Sequence, residues 1–139
     1  MKNYQEIIGQ LRAQGHRVTK TRQGVLKLLS EHQKPIAAAD IGSLLEKRGI
    51  TVNKTTVYRE VEFLSREGYI EEVRFADGRR YYEISSEHHH HLVCVRCQGI
   101  DDVVLENEFL KEEECIERDI GFKVLNHSLE FFGVCARCR

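Results

Sequence analysis

Two C-x-x-C pairs, Cys94/Cys97 and Cys135/Cys138, separated by 37 residues, constrain this chain more than any other feature. A two-residue gap lets both sulfurs of one turn converge on a single ion. Two such turns complete a tetrahedral zinc site of four thiolates. Disulfides are disfavoured in a reducing compartment. A thioredoxin-type redox motif would place one C-x-x-C at a helix start, not two pairs at strand turns. A zinc clip would tie the last residues back onto the strand entering Cys94, in a unit (residues 88–139) too small to rely on an apolar core alone. The fifth cysteine, Cys115, falls in a predicted helix beside Ile116 and is expected to be a buried structural thiol.

Just before Cys94 stands an internal run of four histidines, His88 to His91. In a strand, alternate side chains face opposite sides. His89 and His91 would therefore share one face, and His88 and His90 the other. Each H-x-H pair offers two imidazoles to one ion, so the run can serve two separate metal sites. His127, His16 and His32 are isolated.

The rest of the chain divides by period. Apolar residues at Ile7, Ile8 and Leu11 predict a helix over residues 4–14, closed by Gly15. Thr19 or Thr21 can cap a second helix through Leu29, and Pro35 breaks the chain after it. A third helix is expected from about Ala37 to Lys47, with Ile41, Leu44 and Leu45 inward. Asn53 caps a fourth carrying Val57, Val61 and Leu64. The period then shortens to two: residues 69–75 and 80–84 read as strands joined around Asp77-Gly78, a strong hairpin signal. In the second unit, strands are expected at 89–95, 100–105 and 122–132, with a charged helix at about 107–119. The fold class expected is α+β, an N-terminal winged helix-turn-helix followed by a small α/β domain. Its boundaries are 1–84 for the DNA-binding domain, 85–87 for a hinge and 88–139 for the metal-binding domain.

Charge follows the same division. Residues 1–86 carry 15 basic and 11 acidic side chains, and residues 87–139 carry 6 and 11, a +4 half and a −5 half within a net charge of −1. A basic half suits a polyanion such as DNA, and an acidic half rich in His and Cys suits cations. No apolar run approaches the length of a membrane span and no signal core is read at the N-terminus, so a cytoplasmic protein is expected. No HExxH, Gly-rich phosphate loop or G-x-S-x-G is present, and no enzyme is expected.

The motifs Gly15-His16-Arg17-Val18-Thr19…Arg22, Thr55-Thr56-Val57-Tyr58-Arg59, His88–His91-Leu92-Val93-Cys94…Cys97, Asn126-His127-Ser128-Leu129 and Cys135…Cys138 occur in an order that covers nearly the whole chain. In this they resemble the ferric uptake regulator family of bacterial metal-dependent repressors. The resemblance implies a homodimer, with residues 88–139 as its small α/β dimerisation domain, that binds a palindromic, AT-rich operator in double-stranded DNA, with structural Zn2+ at the four cysteines. It implies a sensing site for Fe2+ or Zn2+, with Mn2+ also compatible, at Glu83, His89, His91 and Asp102. The family's additional N-terminal histidine would fall near Pro35-Ile36, where this chain has none, and His32 is the nearest substitute. A further site carries over to His88, His90 and His127, with Glu108 and Glu112 the nearest acidic candidates. On the fourth helix the buried stripe leaves Thr55 and Arg59 pointing outward with Tyr58 beside them. Arg59 can reach a base edge or phosphate, the Tyr58 ring a thymine methyl, and Arg17 a narrow minor groove. The alternatives are a peroxide-sensing or zinc-uptake regulator of the same family, or a metal-buffering protein without specific DNA binding.

Overall fold

The structure, a computed structural model, describes residues 3–32, 34–86, 88–106 and 109–139. The chain forms two compact units, Met1–Glu87 and His88–Arg139.

The first unit is built on helices α1 (Tyr4–Ala13), α2 (Lys20–His32), α3 (Ala38–Lys47) and α4 (Lys54–Arg66), with strands β1 (Ile36–Ala37), β2 (Ile70–Arg74) and β3 (Arg80–Ile84). Side-chain caps fix the helix starts by satisfying N–H groups that have no partner within the helix. Asn3 Oδ1 accepts from the Gln5 N–H at 3.0 Å, Thr19 Oγ1 from the Arg22 N–H at 3.1 Å, and Asn53 Oδ1 from the Thr56 N–H at 2.8 Å. Ile7 and Leu11 of α1, Val25, Leu26 and Leu29 of α2, Ile41 and Leu45 of α3, and Val57, Val61 and Leu64 of α4 meet in one core. Each such side chain contributes roughly 1.5–3 kcal/mol on burial. Leu44, expected inward, is only half-buried at the edge of that core.

β2 and β3 pair antiparallel from Ile70 opposite Ile84 to Arg74 opposite Arg80. The wing turns at Gly78, whose φ of 74° lies in the left-handed region open to glycine, and its N–H donates to the Phe75 carbonyl at 3.1 Å. No local pattern announces β1. Two residues are too short for a period, and they become a strand only because β3 offers Tyr82 and Tyr81 as partners.

The second unit is a three-stranded sheet in the order β5-β4-β6, formed by β4 (His90–Cys94), β5 (Ile100–Val103) and β6 (Glu130–Gly133), with helix α5 (Leu110–Ile120) between β5 and β6. β4 pairs antiparallel with β5 and parallel with β6. The expected strand over residues 122–132 is present only at its end, and residues 122–129 form no strand. β6 has β4 as its ladder partner, and β4 spans only His91 to Cys94 opposite Glu130 to Gly133. Among the described residues, the backbone before Glu130 pairs with no strand. α5 begins at Leu110, and Asn107, its expected start, lies outside the described residues.

Cys115 corrects an expectation: it is exposed on α5, a helix with no buried residue in the protomer. Among the described residues every exposed large hydrophobic lies in this second unit, including Val104, Phe122, Leu125 and Phe132. Among those residues, no helix is long and apolar enough to cross a membrane.

Candidate metal centres and nucleic-acid face

The Cys94 and Cys97 sulfurs come from the turn after β4, and those of Cys135 and Cys138 from the turn after β6. Because β4 and β6 run parallel, both turns emerge at the same end of the sheet, and the four sulfurs lie within 4.8 Å of one another. Cys97 Sγ and Cys135 Sγ are 3.8 Å apart. Sulfurs at tetrahedral positions about 2.3 Å from a zinc ion would be spaced by about 3.8 Å, so the spacing fits the ion.

Backbone donors favour thiolate here. Cys94 Sγ accepts from the Cys135 N–H at 3.4 Å and the Cys97 N–H at 3.5 Å, and these bonds hold its thiol down to about 6. Cys97 Sγ accepts from the Gly99 N–H at 3.4 Å. Cys135 is lowered too, chiefly by the Cys138 N–H, whereas the neighbouring Cys135 and Cys97 thiols push Cys138 upward. Four clustered sulfurs do not all ionise without a cation to compensate them, which is the donor chemistry of a four-cysteine zinc site.

The histidine run, His88 and His89 leading into β4 and His90 and His91 within it, divides between two sides. The His89 and His91 rings stand 4.9 Å apart edge to face. Asp102, opposite His91 in the β4–β5 register, brings Oδ1 to 3.7 Å from His91 Nε2. His91 is buried and Asp102 exposed. This half-buried set of two imidazoles and a carboxylate suits a first-row divalent cation, with no thiolate to bias it toward zinc.

On the other face the His88 and His90 rings are 4.7 Å apart, and His127 packs against both. His88 Nε2 and His127 Nε2 approach to 3.1 Å. Nitrogens bound tetrahedrally at 2.0–2.1 Å would lie about 3.3 Å apart, so this set also fits an ion. The carboxylate that meets His127 is Glu113, whose Oε1 is 2.6 Å from Nδ1. That contact places a proton on Nδ1 and frees Nε2 as a ligand. Of the acidic residues expected there, Glu112 is exposed on α5, one position away from Glu113, and Glu108 lies outside the described residues. Glu113, on α5, and His127, in the segment before β6, are 14 residues apart, so no local pattern points to the pair.

In the first unit Glu83 lies on β3, opposite Glu71, and is buried. His32 closes α2, its Nδ1 donating to the Leu28 carbonyl at 3.1 Å, which leaves Nε2 as an acceptor. On α4, Thr55 and Arg59 are exposed, and Tyr58 is half-buried, packed against the core with Lys54 Nζ 5.8 Å from its ring centroid. Arg17 is exposed in the segment before α2.

Residues 13–132 match the model of the ferric uptake regulator family. The chain is 33% identical over 135 residues to the ferric uptake regulation protein of Bacillus subtilis (strain 168), covering 93% of this chain and 89% of that one. It is 26% identical over 136 residues to a peroxide-responsive repressor of Staphylococcus epidermidis, covering 97% and 89%. Among solved structures, the ferric uptake regulator from Francisella tularensis with iron superposes with a TM-score of 0.76 at 28% identity, covering 89% of this chain and 95% of that chain.

Proposed function

Because this chain belongs to the ferric uptake regulator family, we propose that it works as a homodimeric, metal-responsive repressor of metal-uptake or homeostasis genes. It binds double-stranded DNA, with a palindromic, AT-rich operator as the target. The observation that carries this reading is the double use of β4 and the two residues leading into it, which present one histidine pair on each side immediately before a four-cysteine knuckle. Its work is binding, not catalysis, and its free thiols suit the reducing cytoplasm.

Cys94, Cys97, Cys135 and Cys138 would hold structural Zn2+. His89, His91 and Asp102 would hold the sensed ion, Fe2+ or Zn2+ with Mn2+ also compatible. Glu83 joins this set by the family resemblance, and His32 is the candidate N-terminal ligand. When bound, such a cation supplies positive charge and fixed coordination directions. Glu83 ends the wing only six residues before His89. Shared ligation would therefore restrict the 85–87 connection, whose Glu87 lies outside the described residues, and favour the DNA-competent population.

Thr55, Tyr58 and Arg59 of α4 would enter the major groove, and Arg17 the adjacent minor groove. Two-fold symmetry of the dimer would match the palindrome. The exposed apolar side chains of the second unit are the material for that dimer contact. The test is operator binding by gel shift with and without Fe2+, Zn2+ or Mn2+. Metal-dependent, sequence-specific binding is expected. A metal-buffering protein would show stoichiometric metal uptake and no preference for the operator.

A further inference from the structure

One side chain of the first unit ties together two segments that the proposed reading places on DNA. Arg22, in the first turn of α2, is largely withdrawn from solvent, with 14% of its side chain exposed. Its guanidinium grips Glu60 of α4 with a two-pronged bond, Nε to Oε2 at 2.9 Å and Nη2 to Oε1 at 3.2 Å. Nη1 donates to the Arg17 carbonyl at 2.7 Å. The flat cation also lies 4.1 Å over the Phe63 ring, one turn further along α4, and His16 packs edge-on against that ring at 5.0 Å.

We infer that Arg22 is a positioning residue that makes the Arg17 segment and the recognition helix one rigid reading element. This rests on the proposed reading that Arg17 and α4 face DNA. A planar fork with five donors can grip a carboxylate in two places and still reach a carbonyl, and only arginine carries one. The guanidinium is committed within the protein, so its effect on DNA is indirect. It fixes the backbone at Arg17, and with it the angle at which that neighbouring side chain leaves the surface. Glu60 follows Arg59 directly on α4, whose own rotation is fixed by the buried Val57, Val61 and Leu64, so the grip takes its bearing from the recognition helix. An unclamped Arg17 would have to be ordered at the moment of binding, and the entropy of that ordering would weaken the complex.

The test uses the metal-loaded, full-length protein and a duplex enriched by in vitro selection with the unaltered protein. A second duplex has its AT-rich flanks replaced by G·C pairs. Arg17→Ala is expected to lose about tenfold in affinity on the AT-rich flanks and little on the G·C ones, the value of one good contact. Arg22→Gln should reproduce that flank-selective loss, and Arg22→Lys, which keeps the charge but not the fork, should not restore it. The Arg17→Ala/Arg22→Gln double variant should lose no more than either single variant, because both act through one contact. Glu60→Gln opens the clamp from the other side and should lose flank discrimination in the same way. If Arg22→Gln fails to fold, Glu60→Gln decides by the same criterion. Retained flank discrimination in the clamp variants, with Arg17→Ala impaired, overturns the inference alone, as do equal losses on both flanks or losses that multiply in the double variant. Unchanged discrimination in Arg17→Ala instead overturns the DNA assignment of Arg17, and the inference with it.

Discussion

His88 Nε2 lies 3.1 Å from His127 Nε2, two ring nitrogens of the same kind brought together from distant parts of the second unit. A shared proton or a shared cation reconciles them. Glu113, which bonds the far nitrogen of His127, leaves Nε2 the ligating position. Glu113→Gln should therefore weaken metal binding at this face by about 10–100-fold, the usual effect of removing a ligand's orienting partner. Glu112→Gln should leave it unchanged. Competition with a chromogenic chelator, in protein retaining its four-cysteine zinc, measures both.

The knuckle formed by Cys94, Cys97, Cys135 and Cys138 is expected to hold one zinc per chain through purification. Because metal affinity in such a unit is folding free energy, Cys138→Ser should unfold residues 88–139 and produce monomers. Metal analysis and sedimentation check this. A folded, dimeric, zinc-free variant would refute the structural role.

The same site predicts a pH window. Backbone donors hold Cys94 at about 6, below the ordinary thiol value. A depressed folded-state pKa contributes stability above the unfolded value and loses it as pH falls through the folded one. Zinc retention and the cooperativity of the second unit should therefore both decline as pH drops below about 6, where protons compete with the metal for its thiolates. Chelator challenge from mildly alkaline to mildly acidic pH follows the metal, and circular dichroism follows the fold. A zinc off-rate flat over that range would count against thiolate control.

On the DNA side, Tyr58→Ala and Arg59→Ala should each weaken operator binding by about 1–3 kcal/mol, Arg59→Ala with little change in stability. Val61→Ala, in the core, should instead lower stability by about 1–3 kcal/mol. Titration of operator and thermal melting separate the two effects. For sensing, Glu83→Ala and His89→Ala should raise the metal concentration needed for operator binding. If both titrate as the unaltered protein does, the sensed ion binds elsewhere.

Tyr82 offers a stability test in the other direction. Its hydroxyl is buried and finds no hydrogen-bond partner among the described residues. Burial also raises its pKa. Tyr82→Phe removes that unmet donor while keeping the ring, and should raise stability by about 1 kcal/mol. Thermal unfolding at neutral pH is sufficient to read it.

What is legible in the sequence and what is not differ by range of interaction. Asn53 as a cap, Gly78 in the wing and the Val57/Val61/Leu64 stripe are local signals, and the structure has all three. The side-by-side pairing of alternate histidines follows from the two-residue period of a strand. β1 is invisible locally because its cause is Tyr81 and Tyr82, far along the chain. Residues 122–129 carry strand-like composition but pair with no strand among the described residues. Cys115 reads as buried because apolar helix residues normally face a core. Here no protomer core lies beneath them, and α5 has no buried residue. The roles of Glu113 and Arg22 are hidden in the sequence for the same reason: each depends on a partner that folding brings from elsewhere in the chain.

The division of the histidine run between two faces makes β4 sensitive to reading frame in a physical sense. In most exposed strands, adding one residue costs some packing and little else. Between His91 and Cys94 it would rotate every histidine to the opposite side relative to the anchored knuckle. His88 and His90 would then turn toward Asp102, and His89 and His91 toward His127. One inserted residue would thus exchange the membership of two metal sites without removing a single ligand, so the strand's phase is as much a specification of the sites as the histidines are.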